Sequence, residues 1–202
     1  MSSWTLIGRE EKQPSKMLKE AGHDTFFAEA DISKSSEVEK VVRAAVWRYG
    51  KIDVLVNNAG IFLGGSVVEV SEESWDRVIS VNLKGVFLCS KSVVREMLRA
   101  GGGVVVNIAS ILGLVGSEGE AAYCASKRGV VALTRAMALN FARCNISLDS
   151  CYHRKGYARV SRRRLEDCLV IIELPLCLGV IDEVKGHPIL HGASYLYHSS
   201  FA

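Results

Sequence analysis

The sequence predicts an α/β fold in which a parallel sheet is covered on both faces by helices. Three observations carry that reading. Short apolar runs alternate with longer segments of helical period along most of the 202 residues. Two of these runs, "IDVLVNN" at 52–58 and "VVVNIA" at 104–109, are apolar almost throughout, as strands buried on both faces are. Polar residues collect where the runs end, and open sheets of this kind bind ligands beyond the carboxyl ends of their strands.

In chain order, "SWTLI" at 3–7 reads as a short strand. "PSKMLKEAG" reads as a short helix, with Pro14 near its start and Gly22 past its end. "TFFAEA" at 25–30 is the next strand. "SEVEKVVRAAVWRYG" follows as a helix that puts Val38, Val42, Ala45, Val46 and Tyr49 on one face and stops at Gly50. After the 52–58 strand, residues 71–100 read as one long helix. Ser71 begins it, with Glu72 and Glu73 suited to its first turn. Its stripe runs Trp75, Ile79, Asn82, Val86, Cys89, Val93, Met97. The 104–109 strand leads to a helix from Ala121 that carries Val130, Leu133, Met137 and Phe141 on one face.

Composition narrows the class. Apolar residues are 49% and charged residues 23%, which is globular. A net charge of +3 is too small to argue for nucleic acid. Arg154 to Arg164 holds six basic residues and no acidic ones, but without aromatic interleaving or a binding motif it reads as a solvated face. The six cysteines show no C-x-x-C spacing and no regular framework, so a reduced, cytoplasmic chain with buried thiols is expected, and no metal site is read. "MSSWTLIGREEK" has no basic n-region or apolar h-region, and no signal peptide is expected. "CLVIIELPLCLGVI" is broken by Glu173 and Pro175 and is too short to span a bilayer.

The chemistry-bearing group is Ser110, Tyr123 and Lys127. Ser110 closes one strand, and "YCASK" opens the helix after it with Tyr123 and Lys127 one turn apart. A free phenol ionises near pH 10, roughly three units above neutrality, and is a poor base. A neighbouring ammonium stabilises the phenolate and lowers that value. The pair can then take a proton from an alcohol or give one to a carbonyl oxygen. A serine hydroxyl beside them can hold and orient the same oxygen. No side chain carries a hydride, so a nicotinamide is implied. Tyr and Lys at this spacing are also ordinary helix-surface neighbours, and alone the pair is weak. Asn82 sits inside an apolar stripe, either as a satisfied core amide or as a working one.

The motifs "DVLVNNAG", "VNLKGVF", "GVVVNIAS" and "YCASK" stand in order between about Arg9 and Asn145. In this the chain resembles the short-chain dehydrogenase/reductases. The resemblance implies a doubly wound parallel sheet (Rossmann-like) and hydride transfer between NAD(P) and a secondary alcohol or ketone. It implies Tyr123 as acid/base, Lys127 as its partner that also holds the nicotinamide ribose, Ser110 as the orienting hydroxyl and Asn82 as support for a proton relay. It implies cofactor contacts at Arg9, Asp31, Ile32, Asn58, Ala59 and Gly60, besides Tyr123 and Lys127. Arg9, where an acidic residue would suit NAD, leans toward NADP. Asp31 reads equally as a loop residue that starts the next helix. The partners expected are a small-molecule substrate and further copies of the chain in a homo-oligomer paired through its long helices, with no nucleic acid and no membrane.

Two departures qualify the resemblance. The family's first strand and its T-G-x-x-x-G-x-G turn have no counterpart, and "GREEKQPSK" offers no glycine turn into a helix to cradle a pyrophosphate. The expectation is an unfilled centre in the sheet, with "SWTLI" either moving into it or leaving the sheet split, and weak dinucleotide binding. After Asn145 the pattern fades, so residues 1–146 are read as the core and 147–202 as a divergent segment. A catalytically impaired relative that serves as a scaffold is the alternative function.

Overall fold

A computed structural model describes residues 3–7, 20, 22, 24–151, 170–172, 183–184 and 187–188. Strand β1 is Ser3–Ile7 and β2 is Asp24–Ala28. Helix α1 spans Ser35–Tyr49 and ends at Gly50, whose φ of 82° and N–H to the Val46 carbonyl close it. Strand β3 is Val54–Asn57. The long helix predicted over 71–100 is two α-helices, α2 (Glu72–Ile79) and α3 (Val86–Ala100), joined without a break by a π-helical turn at Ser80–Gly85. Strand β4 is Gly103–Ile108, a 3₁₀ turn follows at Ile111–Gly113, α4 is Ala121–Phe141 and β5 is Ile146–Cys151. Strand β6 is Val170–Ile172, and β7 (Glu183–Val184) pairs antiparallel with β8 (His187–Pro188). The expected helix from Pro14 lies outside the described residues except at Glu20, which is helical.

Six strands form one parallel sheet in the order β2-β1-β6-β3-β4-β5. From β2 to β3, β4 and β5 the chain advances in one direction across the sheet. Right-handed crossovers therefore place α1, α2–α3 and α4 on the same face. α1 packs on α3, and α2 on α4. β3 is buried at each of its four positions, so both its faces are covered, as its apolar run predicts.

The centre of the sheet differs from expectation. "SWTLI" does not fill the central slot, and the sheet is not split. β1 lies beside β2, and β6 lies between β1 and β3, with Ile171 in register with Leu6 on one side and with Val56 on the other. A strand from beyond residue 146 thus completes the sheet, and the expected boundary at 146 falls at the start of β5.

The main core joins Val38, Val42 and Ala45 of α1 to Leu55 of β3, Val105 of β4, and Cys89, Val93 and Met97 of α3. Trp75 departs from its predicted stripe. It is 36% exposed, and Val78 is the buried residue of α2. Trp75 lies in the first turn of α2, and period alone does not show which turns of a stripe are covered. Ser71 caps this turn, accepting from the Ser74 N–H at 3.1 Å. Cys89, Cys124 and Cys144 are free thiols, and burial pushes the Cys89 thiol up to about 12, which makes it inert packing. Among the described residues no helix is long and apolar enough to cross a membrane.

A polar chain crosses this core. Asn57 donates to Ser90 Oγ at 3.0 Å and to Asn107 Oδ1 at 2.8 Å, and Asn107 donates to Thr134 Oγ1 at 2.8 Å. The Thr134 hydroxyl donates in turn to the Val130 carbonyl at 2.8 Å. The chain ties α3 to β3, β3 to β4 and β4 to α4. Asn107→Ala would leave an Asn57 N–H unpaired in a dry interior, and a stability loss of about 1–3 kcal/mol is expected. Urea denaturation of the variant tests this: a lower midpoint at unchanged slope is expected, and an unchanged midpoint would contradict it.

Candidate active site

The carboxyl ends of β3 and β4 and the first turns of α4 build the site. Lys127 is 3% exposed, although it carries an ammonium. Its Nζ donates to the Ile108 carbonyl, the last residue of β4, at 2.7 Å. The same Nζ lies 5.6 Å from the centre of the Tyr123 ring. Tyr123 is half-buried one turn earlier on α4, and its ring meets Phe62 edge-on, with centres 5.6 Å apart and planes at 74°. Ser110 is buried two residues after Ile108 and starts the 3₁₀ turn, its Oγ accepting from the Leu112 N–H at 3.2 Å. That turn packs against α4. The three residues predicted to act together are therefore brought to one strand end.

Asn82 lies in the π-helical turn and is 0% exposed. Its Oδ1 accepts from the Ile61 N–H at 2.8 Å, and its Nδ2 donates to the Ile61 carbonyl at 2.9 Å and to Ser126 Oγ at 3.2 Å. Ser126 Oγ donates to the Tyr123 carbonyl at 2.7 Å. One amide thus fixes the chain just after Gly60 and, through Ser126, the first turn of α4. A π-turn widens the helix by one residue and recurs at functional sites. Gly60 closes the group: a Cβ added there would lie 3.5 Å from Asn82 Oδ1 and 3.6 Å from Lys127 Nζ. Asn58 is half-buried and Ala59 buried in the same segment. A small-residue backbone beside a buried cation lets a ligand approach closely and offers it a charge, which is compatible with the nicotinamide half of a dinucleotide.

The remaining expectations fall beyond the carboxyl end of β2 or outside the described residues. Asp31 and Ile32 follow β2. The Asp31 carboxylate accepts from Ser33 N at 3.0 Å and Ser33 Oγ at 2.6 Å and pairs with Lys34 at 3.4 Å. Its own N–H donates to Glu37 at 2.7 Å. The Ser33 hydroxyl, chiefly, holds the Asp31 carboxyl below its ordinary value against the opposing effect of partial burial. This interaction is present above the usual carboxylate range and is lost as pH falls through the lowered value. These bonds, with the Lys34 N–H donating to the Asp31 carbonyl at 3.0 Å, close the turn that leads into α1. Ile32 is buried, and its Cδ1 lies 2.6 Å from where a Cβ on Gly85 would sit. Arg9 lies outside the described residues.

Phe62, Ser126 and Gly113 were not picked out from the sequence. Ser126 had a signal: it is three residues from Tyr123, on the buried face of a helix. Phe62 is held by the loop that follows β3, whose Gly65 donates to the Gly119 carbonyl at 2.7 Å just ahead of α4. Gly113 packs so closely on α4 that a Cβ there would lie 2.8 Å from the Lys127 carbonyl carbon and oxygen. Backbone cannot yield as a side-chain tip can. Gly113→Ala is expected to cost about 1–3 kcal/mol in stability. Gly116→Ala, whose added Cβ meets nothing within 4 Å, should be nearly neutral. Paired denaturation midpoints check the contrast, and equal midpoints would contradict it.

With this geometry in view, the comparisons are consistent with one another. The family described as short chain dehydrogenase matches residues 3–153. A 3-oxoacyl-(acyl-carrier-protein) reductase FabG of Staphylococcus epidermidis is 39% identical over 133 residues, covering 66% of this chain and 54% of that protein. An oxidoreductase of Thermotoga maritima is 42% identical over 135 residues, covering 67% and 53%. The chain thus spans about half the length of the curated relatives it matches. Among solved structures, a variant of actinorhodin polyketide ketoreductase with NADPH superposes with a TM-score of 0.70 at 36% identity, covering 74% of this chain and 69% of that one. A short-chain dehydrogenase/reductase from Burkholderia xenovorans gives a TM-score of 0.70 at 31% identity, covering 72% and 57%. The fold, the strand-end site and these likenesses agree, and the chain belongs to the short-chain dehydrogenase/reductase family.

Proposed function

We propose that the chain is an NAD(P)-dependent oxidoreductase that interconverts a ketone and a secondary alcohol, with Tyr123 as its acid/base. The observation that carries the reading is the buried ammonium of Lys127 beside the Tyr123 ring. Withdrawing an ammonium from water costs several kcal/mol, and a negative charge forming beside it offsets part of that cost. A developing phenolate within reach is the partner that such a charge would favour most.

In the reductive direction Tyr123 gives its phenolic proton to the carbonyl oxygen, and Lys127 stabilises the phenolate left behind. Ser110 donates to the same oxygen and orients it. Asn82 holds the segment after Gly60 against α4, so that Asn58, Ala59 and Gly60 would lie along the nicotinamide and Lys127 would reach the ribose. When bound, the nicotinamide cofactor supplies the hydride, which no side chain can. NADP is favoured over NAD by Arg9 in the sequence and by the NADPH held in the related ketoreductase. The substrate is a small molecule, the compartment is the reducing cytoplasm that unpaired thiols suit, and the assembly is a homo-oligomer. Exposed Phe87 and Leu139 on α3 and α4 support pairing through those helices.

A non-catalytic scaffold is the second reading, favoured by the absence of a glycine turn in "GREEKQPSK". Titrating the purified chain with NADPH by nicotinamide fluorescence separates the two, since a scaffold need not bind it. Tyr123→Phe keeps the ring and removes the proton. It is expected to lower NADPH-dependent ketone reduction by about 10²–10⁴-fold while leaving NADPH binding intact. A Phe variant with unchanged turnover would overturn the assignment.

A further inference from the structure

The three-residue strand β6 occupies a position out of proportion to its length. In the order β2-β1-β6-β3-β4-β5 it is the link in the sheet plane between the β2–β1 pair and the β3–β4–β5 body. Ile171 is in register with Leu6 of β1 and Val56 of β3, and Val170 and Ile172 are in register with Leu55 and Asn57. On the helical face, α1 on α3 also joins the two parts, so β6 is not their only connection. It is, however, what fixes their separation within the sheet. Val-Ile-Ile is a sequence of high strand propensity, since β-branched residues are enriched in strands.

This separation reaches the candidate site. Asp31 and Ile32 follow β2, whereas Asn58, Ala59 and Gly60 follow β3. With β1 and β6 between them, the two strand ends are three strand steps apart, roughly 14 Å at ~4.8 Å per step. With β6 withdrawn, closing the gap would leave two steps, about 10 Å. A ligand that spans both ends would meet a cleft of the wrong length.

We propose that the segment at Val170–Ile172 is a clasp: inserted between β1 and β3, it sets the spacing of the two halves of the sheet and hence of the cleft along their carboxyl ends. The role proposed for it is one of position within the sheet. The consequence for a dinucleotide rests on the function proposed above, whereas the clasp itself does not.

Hydrogen exchange on the intact chain decides the structural part. Amides of 170–172 are expected to be protected with those of β3, at least tenfold beyond free-peptide rates. Free-peptide exchange there, with β3 and β4 protected, would overturn the proposal, whatever the chain binds. Ile171→Pro removes a ladder donor from the middle of a sheet. It is expected to strip protection from Ser3–Ile7 and from the β3 edge while β4 and β5 keep theirs, and Ile171→Val should restore the pattern. NADPH affinity should fall about tenfold or more in the proline variant and recover in the valine variant. Unchanged protection of β1 and β3 in the proline variant would also overturn the clasp. If the proline variant unfolds altogether, exchange at 170–172 in the intact chain still decides. If the intact chain binds no NADPH, the proposed function fails, and the exchange data alone settle the clasp.

Discussion

A charge held out of water is the constraint on which the site depends. The Lys127 ammonium lies in the interior, one turn along α4 from Tyr123, and reaches back to the Ile108 carbonyl at 2.7 Å. That bond requires α4 to lie directly over the end of β4. Gly113 permits the approach, because at 2.8 Å from the Lys127 carbonyl no Cβ fits. Ser110 sits where β4 turns into that contact, and its hydroxyl caps the turn. The position of each polar residue at this strand end follows from bringing one helix close enough to seat one ammonium.

The scaffold beneath is built to hold such a contact still. β3 and β4 are paired over four residues and tied to their covering helices by the Ser90–Asn57–Asn107–Thr134 chain. These amides sit where apolar side chains would fill the same volume. What they add is direction: each bond fixes a helix against a strand at one register. Asn82 does the same at the mouth of the site. Two of its bonds clamp the loop after Gly60 and the third reaches Ser126 on α4, and the π-turn that carries it lets the amide turn inward without ending the helix.

Much of this was legible in the residues, for a physical reason. Buried strands and amphipathic helices have local periods, so β1, β3, β4, α1 and α4 were read close to their observed bounds. The gathering of Ser110, Tyr123 and Lys127 at one strand end was legible because it depends on local spacing and on the strand-helix order. Other features have no local signal. A π-turn keeps the helical pattern on either side, so the 71–100 segment read as one plain helix. The insertion of Val170–Ile172 between β1 and β3 is a long-range pairing of three residues, and the surrounding apolar run showed only that it was too broken to span a bilayer. Phe62 meets Tyr123 through a loop closed by a backbone bond from Gly65 to Gly119, which no side-chain pattern encodes. Asp31 had two readings from sequence, and its bonds to Ser33 and Lys34 hold the turn ahead of α1.

The central claim is electrostatic: Lys127 makes the Tyr123 phenolate easier to form. The direct measurement is an NMR titration of the chain carrying ring-labelled tyrosine, with Tyr123 assigned by its loss in Tyr123→Phe and the titration repeated in Lys127→Met. The Tyr123 resonance is predicted to titrate at lower pH in the native chain than in Lys127→Met, because only the native chain holds a cation 5.6 Å from the ring centre. Identical titration in the two proteins would show that the ammonium does not act on the phenol, and would contradict the proposed role of the pair.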